Sequence, residues 1–180
     1  MSMEQILENK NKGNEFYKQK QYEEARDTYT EAIVDAEQEN SGCDNVTKSI
    51  LYGNRAACFV ALELPELCIS DCNKSLEYQP NYTKVRLRKF WALRKVQKYN
   101  EALEEIKKAI EEDPSVETTH AKEYEECKKE AAEETEKLKT EAIGQLKDLG
   151  NKFLGLFGLS TDNFKLQQNE NGGYNVQFQK

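Results

Sequence analysis

Two prolines 34 residues apart, Pro80 and Pro114, close segments that match position by position. Twelve residues before each proline stands a small residue, Cys68 or Ala102, and five before each stands another, Ser75 or Ala109. Ala25, Tyr29 and Ala32 show the same small–aromatic–small spacing upstream. Ala25 to Cys68 spans 43 residues, so nine extra residues separate the first two units. The polar stretch Asn40-Ser41-Gly42-Cys43-Asp44-Asn45 is the natural place for them, as a longer surface loop. A repeat of this length restricts the fold to stacked supersecondary units, since one unit cannot bury its own apolar face.

Each unit reads as two helices. Ile6, Leu7, Phe16 and Tyr17 precede Tyr22, Ala25, Tyr29, Ala32 and Ile33 at steps of three or four. Tyr52, Ala56, Phe59 and Val60 precede Leu67, Cys68, Cys72 and Leu76. Leu87, Phe90, Trp91 and Leu93 precede Ala102, Ile106 and Ala109. Small residues recur where helices approach closely, and large ones where a neighbour's gap is filled.

This pattern resembles the tetratricopeptide repeat, a 34-residue helix–turn–helix unit with Gly or Ala at its eighth position, Ala at its twentieth and Pro near its end. The resemblance covers roughly residues 5–116, with local departures: Glu37 stands where Pro is usual, and Cys68 and Ser75 where Ala is usual. It implies an all-α fold in which three repeats form a right-handed superhelix. The first helix of each pair then lines a concave surface.

Lys10 and Asn14 are four residues apart, as are Lys84 and Arg88, so each pair shares a helical face. Asn54 and Arg88 are one repeat apart and occupy equivalent positions on adjacent first helices. Such a donor set suits a carboxylate, which accepts several hydrogen bonds. A chain ending in Asp offers two carboxylates on one residue. Lys10 to Asn14, Tyr52-Gly53-Asn54-Arg55-Ala56-Ala57 and Lys84 to Arg88 are similar to the two-carboxylate clamp of chaperone-binding members of the family. That resemblance implies that Lys10, Asn14, Asn54, Lys84 and Arg88 hold the terminal Asp of the Glu-Glu-Val-Asp tails of Hsp90 and Hsp70. Tyr17, Ala57 and Val60 are the candidates for apolar contacts upstream of it.

The chain carries net charge −7, against generic nucleic-acid binding. Residues 81–100 are the exception, holding Lys84, Arg86, Arg88, Lys89, Arg94, Lys95 and Lys98 without a carboxylate. A local positive field there would steer an acidic tail. Cysteines 43, 58, 68, 72 and 127 are odd in number and lack disulfide-framework spacing. The first ten residues hold no apolar run that would serve as a signal peptide, and no stretch suits a bilayer span. A cytoplasmic protein is expected. No nucleophile set, phosphate loop or metal motif appears, so an enzyme, a cofactor or a metal is not expected. Cys68 and Cys72, four apart, read as small core thiols.

From Val116 to Leu149 the chain is highly charged, with a thin stripe of Ala121, Tyr124, Cys127, Ala131 and Leu138. It reads as a capping helix extended into a long one, giving divisions at 1–116, 117–150 and 151–180. Phe164-Lys165-Leu166 and Tyr174 to Phe178 alternate around Asn171-Gly172-Gly173, a small β-hairpin signal, with a flexible tail as the other reading. Residues 146–151 and 157–164 are similar to the C-terminal end of a cochaperone-type branch of the same family. That branch implies binding of Hsp90 and Hsp70, with Ras-type or heterotrimeric G proteins as the alternative partners. The Phe/Leu-rich segment 149–159 also allows self-association or membrane contact.

Overall fold

The computed structural model describes residues 3–38, 40–168 and 174–179. The chain divides into two compact units, Met1–Ala132 and Glu133–Lys180. That boundary falls inside a helix.

The first unit holds three helix hairpins: α1 (Met3–Lys18) with α2 (Tyr22–Ala36), α3 (Asn45–Ala61) with α4 (Pro65–Tyr78), and α5 (Thr83–Lys95) with α6 (Tyr99–Glu112). They stack as the all-α repeat superhelix. Each hairpin turns at a left-handed residue, Lys20 (φ 61°), Glu63 (φ 56°) or Gln97 (φ 59°). These three obey the repeat spacing, 43 residues and then 34. Each turn is closed by the same pair of backbone bonds. Gln21 N–H donates to the Phe16 carbonyl, Leu64 to Phe59 and Lys98 to Leu93, at 2.9, 2.9 and 3.0 Å. Lys20, Glu63 and Gln97 donate to the carbonyls three residues back. This is the double bond of a Schellman helix end, and it outweighs the strain of a side chain in the left-handed region.

The core is layered by repeat. Ile6, Ala25, Tyr29, Ala32, Leu51 and Cys58 form one cluster. Ala56, Phe59, Cys68, Cys72, Val85 and Ala92 form the next. Phe90, Leu93, Ala102, Ile106, Val116 and Cys127 form the third. All five cysteines are free thiols, with Cys68 and Cys72 sulfurs 3.9 Å apart in the core. Small residues sit where predicted. A Cβ on Gly13 would lie 2.6 Å from the Tyr29 ring, so only glycine lets that ring close on α1. Ser75, in place of Ala, exchanges hydrogen bonds with Ser49: each hydroxyl donates to the other residue's carbonyl, at 2.8 and 2.9 Å. Leu67 belongs to the exposed face and not to the expected stripe.

Glu37 replaces the helix-ending Pro of the first repeat and gains a tertiary role. Its carboxylate accepts from the Tyr78 hydroxyl at 2.8 Å and pairs with Lys48 at 3.4 Å, tying α2 to α3 and α4. The longer connection that follows is anchored by Ser41, which donates to the Ala36 carbonyl at 2.9 Å. It ends at Asp44, which caps α3 by accepting from Thr47 N–H at 2.8 Å.

The short α7 (Ser115–Thr119) ends at His120, and α8 (Ala121–Gly155) then runs unbroken past Gly144 and Gly150. Cys127 and Ala131 bury against the third repeat, but Leu138 is 54 % exposed, so the capping stripe ends sooner than its spacing suggests. Arg94 fastens α8 to α5: it donates twice to Glu130, both at 2.8 Å, and stacks over Phe90 and Trp91.

The second unit contains the end of α8, a 3-10 turn (Thr161–Asn163) and an antiparallel hairpin of β1 (Phe164–Gln168) and β2 (Tyr174–Phe178). Phe164 and Phe178 face each other with ring centroids 5.4 Å apart. Ser160 and Asn163 cap the turn reciprocally, and Lys147 pairs with Asp162 at 2.7 Å. The Asn171-Gly172-Gly173 turn lies outside the described residues. No described helix is long and apolar enough to cross a membrane.

Candidate functional site

The first helices of the three repeats meet around a hollow of about 350 Å³. Asn11, Asn14, Glu15, Tyr17 and Lys18 of α1 line one side, Asn54 and Ala57 of α3 the floor, and Arg88 of α5 the far wall. Tyr29 of α2 closes the base.

A chain of hydrogen bonds fixes the donors. The Tyr29 hydroxyl donates to Asn14 Oδ1 at 2.7 Å, and Asn54 Nδ2 donates to the same oxygen at 3.0 Å. The Asn14 oxygen is thereby satisfied, which leaves its NH₂ group for a ligand. Arg88 spends one N–H on the Gly53 carbonyl at 3.0 Å and keeps the other four of its guanidinium. Burial pushes the Tyr17 phenol above its ordinary pKa, and the Arg88 charge across the hollow pulls in the opposite direction. The Tyr29 phenol is likewise pushed up by burial, so it stays a neutral donor.

Of the five residues expected to form the clamp, Asn14, Asn54 and Arg88 are thus brought together. Lys10 and Lys84 do not line the hollow. Each lies one turn toward the N-terminus of its helix, about 5–6 Å along the axis from Asn14 and Arg88. The Lys10 charge acts on Cys43, in the connection after α2, whose thiol burial pushes up and Lys10 draws down.

Tyr17 and Ala57 line the hollow, but Val60 does not. Val60, 47 % exposed, belongs to a neighbouring apolar hollow of about 450 Å³ with Phe59, Leu64, Trp91, Ala92 and Lys95.

The basic stretch 81–100 needs correction. Arg86 donates to Glu105 at 3.0 Å and also to Glu112, and Lys89 pairs with Glu105 at 2.8 Å. Arg94 is held by Glu130 and Lys98 by Glu101. Four of the seven cations are therefore neutralised locally. Among the described residues, Lys84, Arg88 and Lys95 make no ion pair, and all three are carried by α5. The local field is narrower than the composition implies, and it is centred on the groove helix.

A second polar lock sits behind the floor. Arg55 grips Asp71 through two parallel bonds of 2.7 and 2.8 Å and donates to Thr30 Oγ1 at 3.1 Å. Burial pushes the Asp71 carboxyl up, against the opposing pull of Arg55. This pair joins α2, α3 and α4, and it holds the segment that carries Asn54.

Sequence reasoning missed Tyr29 as a site residue. Its small–aromatic–small setting marks it as core, and its hydroxyl finds Asn14 only once α2 folds back on α1. Among the described residues no cluster of three or more His, Cys, Asp or Glu side chains could hold a metal ion.

The class this defines is a stack of helix hairpins with a polar hollow on its first helices. No family model matches the chain. It is 37 % identical over 105 residues to the human mitochondrial import receptor subunit TOM70, covering 58 % of this chain and 17 % of that protein. The match thus spans under a fifth of that relative's length. Among solved structures, the tetratricopeptide repeat domain of Arabidopsis OM64 is 32 % identical, with a TM-score of 0.55, over 62 % of this chain and 85 % of that one. The first such domain of Spaghetti (RPAP3), bound to the HSP90 peptide SRMEEVD, gives a TM-score of 0.61 at 29 % identity, covering 73 % and 99 %. The TPR2B domain of yeast Sti1 in complex with an Hsp70 peptide gives 0.57 at 28 %, covering 72 % and 98 %. The chain belongs to the tetratricopeptide repeat family.

Proposed function

We propose that the hollow captures the carboxylate-bearing C-terminus of an acidic tail of the Glu-Glu-Val-Asp type, making the chain an adaptor for cytoplasmic Hsp90 or Hsp70. One observation carries this reading. The Asn14 amide, the Asn54 amide and the Arg88 guanidinium face one hollow, and the Asn14 oxygen is already occupied. These donors suit a carboxylate, and Glu15, which also lines the hollow, is paired with Lys18 at 2.8 Å. Lys10 and Lys84, one turn away and free of ion pairs among the described residues, reach the second carboxylate of a terminal Asp. Relatives solved with Hsp90 and Hsp70 peptides support the same ligand class. The C-terminal motif at 146–164 supports a place beside tetratricopeptide repeat protein 1 within the family. No relative supports the alternative G-protein partners.

Fluorescence anisotropy with a labelled SRMEEVD peptide tests the proposal. Amidating the peptide terminus, or Arg88→Ala, removes at least one charge-assisted bond, about 1.5–3 kcal/mol, and so weakens binding roughly tenfold or more. Equal affinity for the acid and the amide would refute carboxylate capture.

A further inference from the structure

The apolar second hollow continues the first along the same two helices. Val60 follows Ala57 by about one turn of α3, and Trp91 follows Arg88 by about one turn of α5, so it lies toward the C-terminal ends of both. Val60, Leu64 and Trp91 are 37–47 % exposed and give it apolar walls. Two exposed charges of opposite sign also line it, Lys95 at the end of α5 and Glu63 in the turn after α3. Among the described residues, neither makes an ion pair.

Spacing along the helices sets which tail residue meets each group. Lys95 is seven residues beyond Arg88 and Glu63 nine beyond Asn54, roughly 10 and 13 Å at the rise of a helix. An extended chain rises about 3.3 Å per residue. A tail held at its terminal Asp by Asn54 and Arg88 therefore brings the third residue before that Asp level with Lys95. Its fourth lies level with Glu63, which a long side chain on the fifth also reaches. Reading away from the terminus, these groups select an acidic residue, a large apolar one and a basic one. SRMEEVD has that order, with Glu, Met and Arg. SGPTIEEVD, the HSP70 peptide solved with the second tetratricopeptide repeat domain of human RPAP3, has Glu and Ile but Thr in place of the base.

We infer that Glu63 is a specificity-determining residue, which with the apolar hollow and Lys95 makes this chain prefer tails carrying a base five residues before the terminal Asp. That is the Hsp90 type of tail over the Hsp70 type. The inference rests on carboxylate capture in the first hollow. An exposed pair of this kind is weak, so it sets preference between tails and leaves most of the affinity to the clamp.

Anisotropy titrations of the full chain with SRMEEVD, SGPTIEEVD and two SRMEEVD variants, Thr for Arg and Ser for Met, test this. SRMEEVD should bind about two- to fivefold more tightly than its Thr form, the range of an exposed ion pair, and more tightly than SGPTIEEVD. The gap to the Thr form should shrink at high salt. The Ser form should bind about tenfold more weakly, as one apolar side chain leaves the hollow. Glu63→Gln should abolish the preference for Arg over Thr, and Glu63→Lys should invert it. Helical circular dichroism should not change in either, because Glu63 is exposed and backbone bonds hold its turn. Equal binding of SRMEEVD and its amide refutes carboxylate capture, and this inference with it. Amide-sensitive binding with equal affinity for the Arg and Thr forms overturns the specificity assignment alone. So does a preference that survives Glu63→Gln, a Ser form that binds like SRMEEVD, or no preference for SRMEEVD over SGPTIEEVD.

Discussion

Replacing Tyr29 with Phe removes a single oxygen from a residue that is 1 % exposed at the base of the hollow. Its ring packing against Gly13 remains, but the 2.7 Å bond to Asn14 Oδ1 is lost. Asn54 still donates to that oxygen at 3.0 Å, so the acceptor is not orphaned. The stability cost should be about 1 kcal/mol, the net value of one intramolecular hydrogen bond. The effect on binding is more informative. Without Tyr29 the Asn14 amide is held from one side only, and a ligand must immobilise it at a cost of up to about 1 kcal/mol, or roughly fivefold in Kd. Anisotropy with the SRMEEVD peptide measures this, and a double-mutant cycle with Asn14→Ala isolates its cause. In the Asn14→Ala background, Tyr29→Phe should change affinity no further. Additive losses would refute positioning through Asn14, and so would a Tyr29→Phe variant that loses stability but binds like wild type.

Asp71→Asn breaks the buried grip on Arg55 and should destabilise by about 3 kcal/mol in urea unfolding, since it leaves an uncompensated cation behind the groove floor. Gln97→Gly relieves a left-handed side chain in a turn whose hydrogen bonds are all backbone. It should raise stability by about 0.5–1 kcal/mol, read as a higher Tm. Burial raises the Glu105 pKa, but Lys89 and Arg86 outweigh it and hold the group below its ordinary 4.5. A depressed folded-state pKa gives stability that is complete above pH 4.5 and is lost as pH falls through the lower value. Glu105→Gln should therefore flatten the acid limb of a stability–pH curve.

The repeat was legible because close packing demands a fixed periodicity, and Cys68, Ser75, Ala102 and Ala109 keep it even where Ala is replaced. Asn14, Asn54 and Arg88 were legible because equivalent positions on stacked first helices must neighbour one another. Three things were not. The left-handed turns at Lys20, Glu63 and Gln97 carry no Gly or Asn signal, because backbone bonds fix them. The neutralisation of Arg86, Lys89 and Arg94 depends on carboxylates from α6 and α8, distant in sequence. The placing of Val60 in a second hollow with Trp91 and Lys95 of α5 depends on packing between helices, which spacing does not encode.

The connection between the first two repeats, residues 37–44, is four residues longer than its counterpart at 79–82, and α2 and α3 take up the other five extra residues, yet Asn14 and Asn54 still meet across it at 3.0 Å. Helix contacts, and not chain length, therefore set how these layers register. Gly42, with φ 64° and open space around it, marks where this slack emerges. A reporter or foreign epitope spliced in there would ride outside the groove, whereas the same graft at Lys20, Glu63 or Gln97 would tear open a helix end.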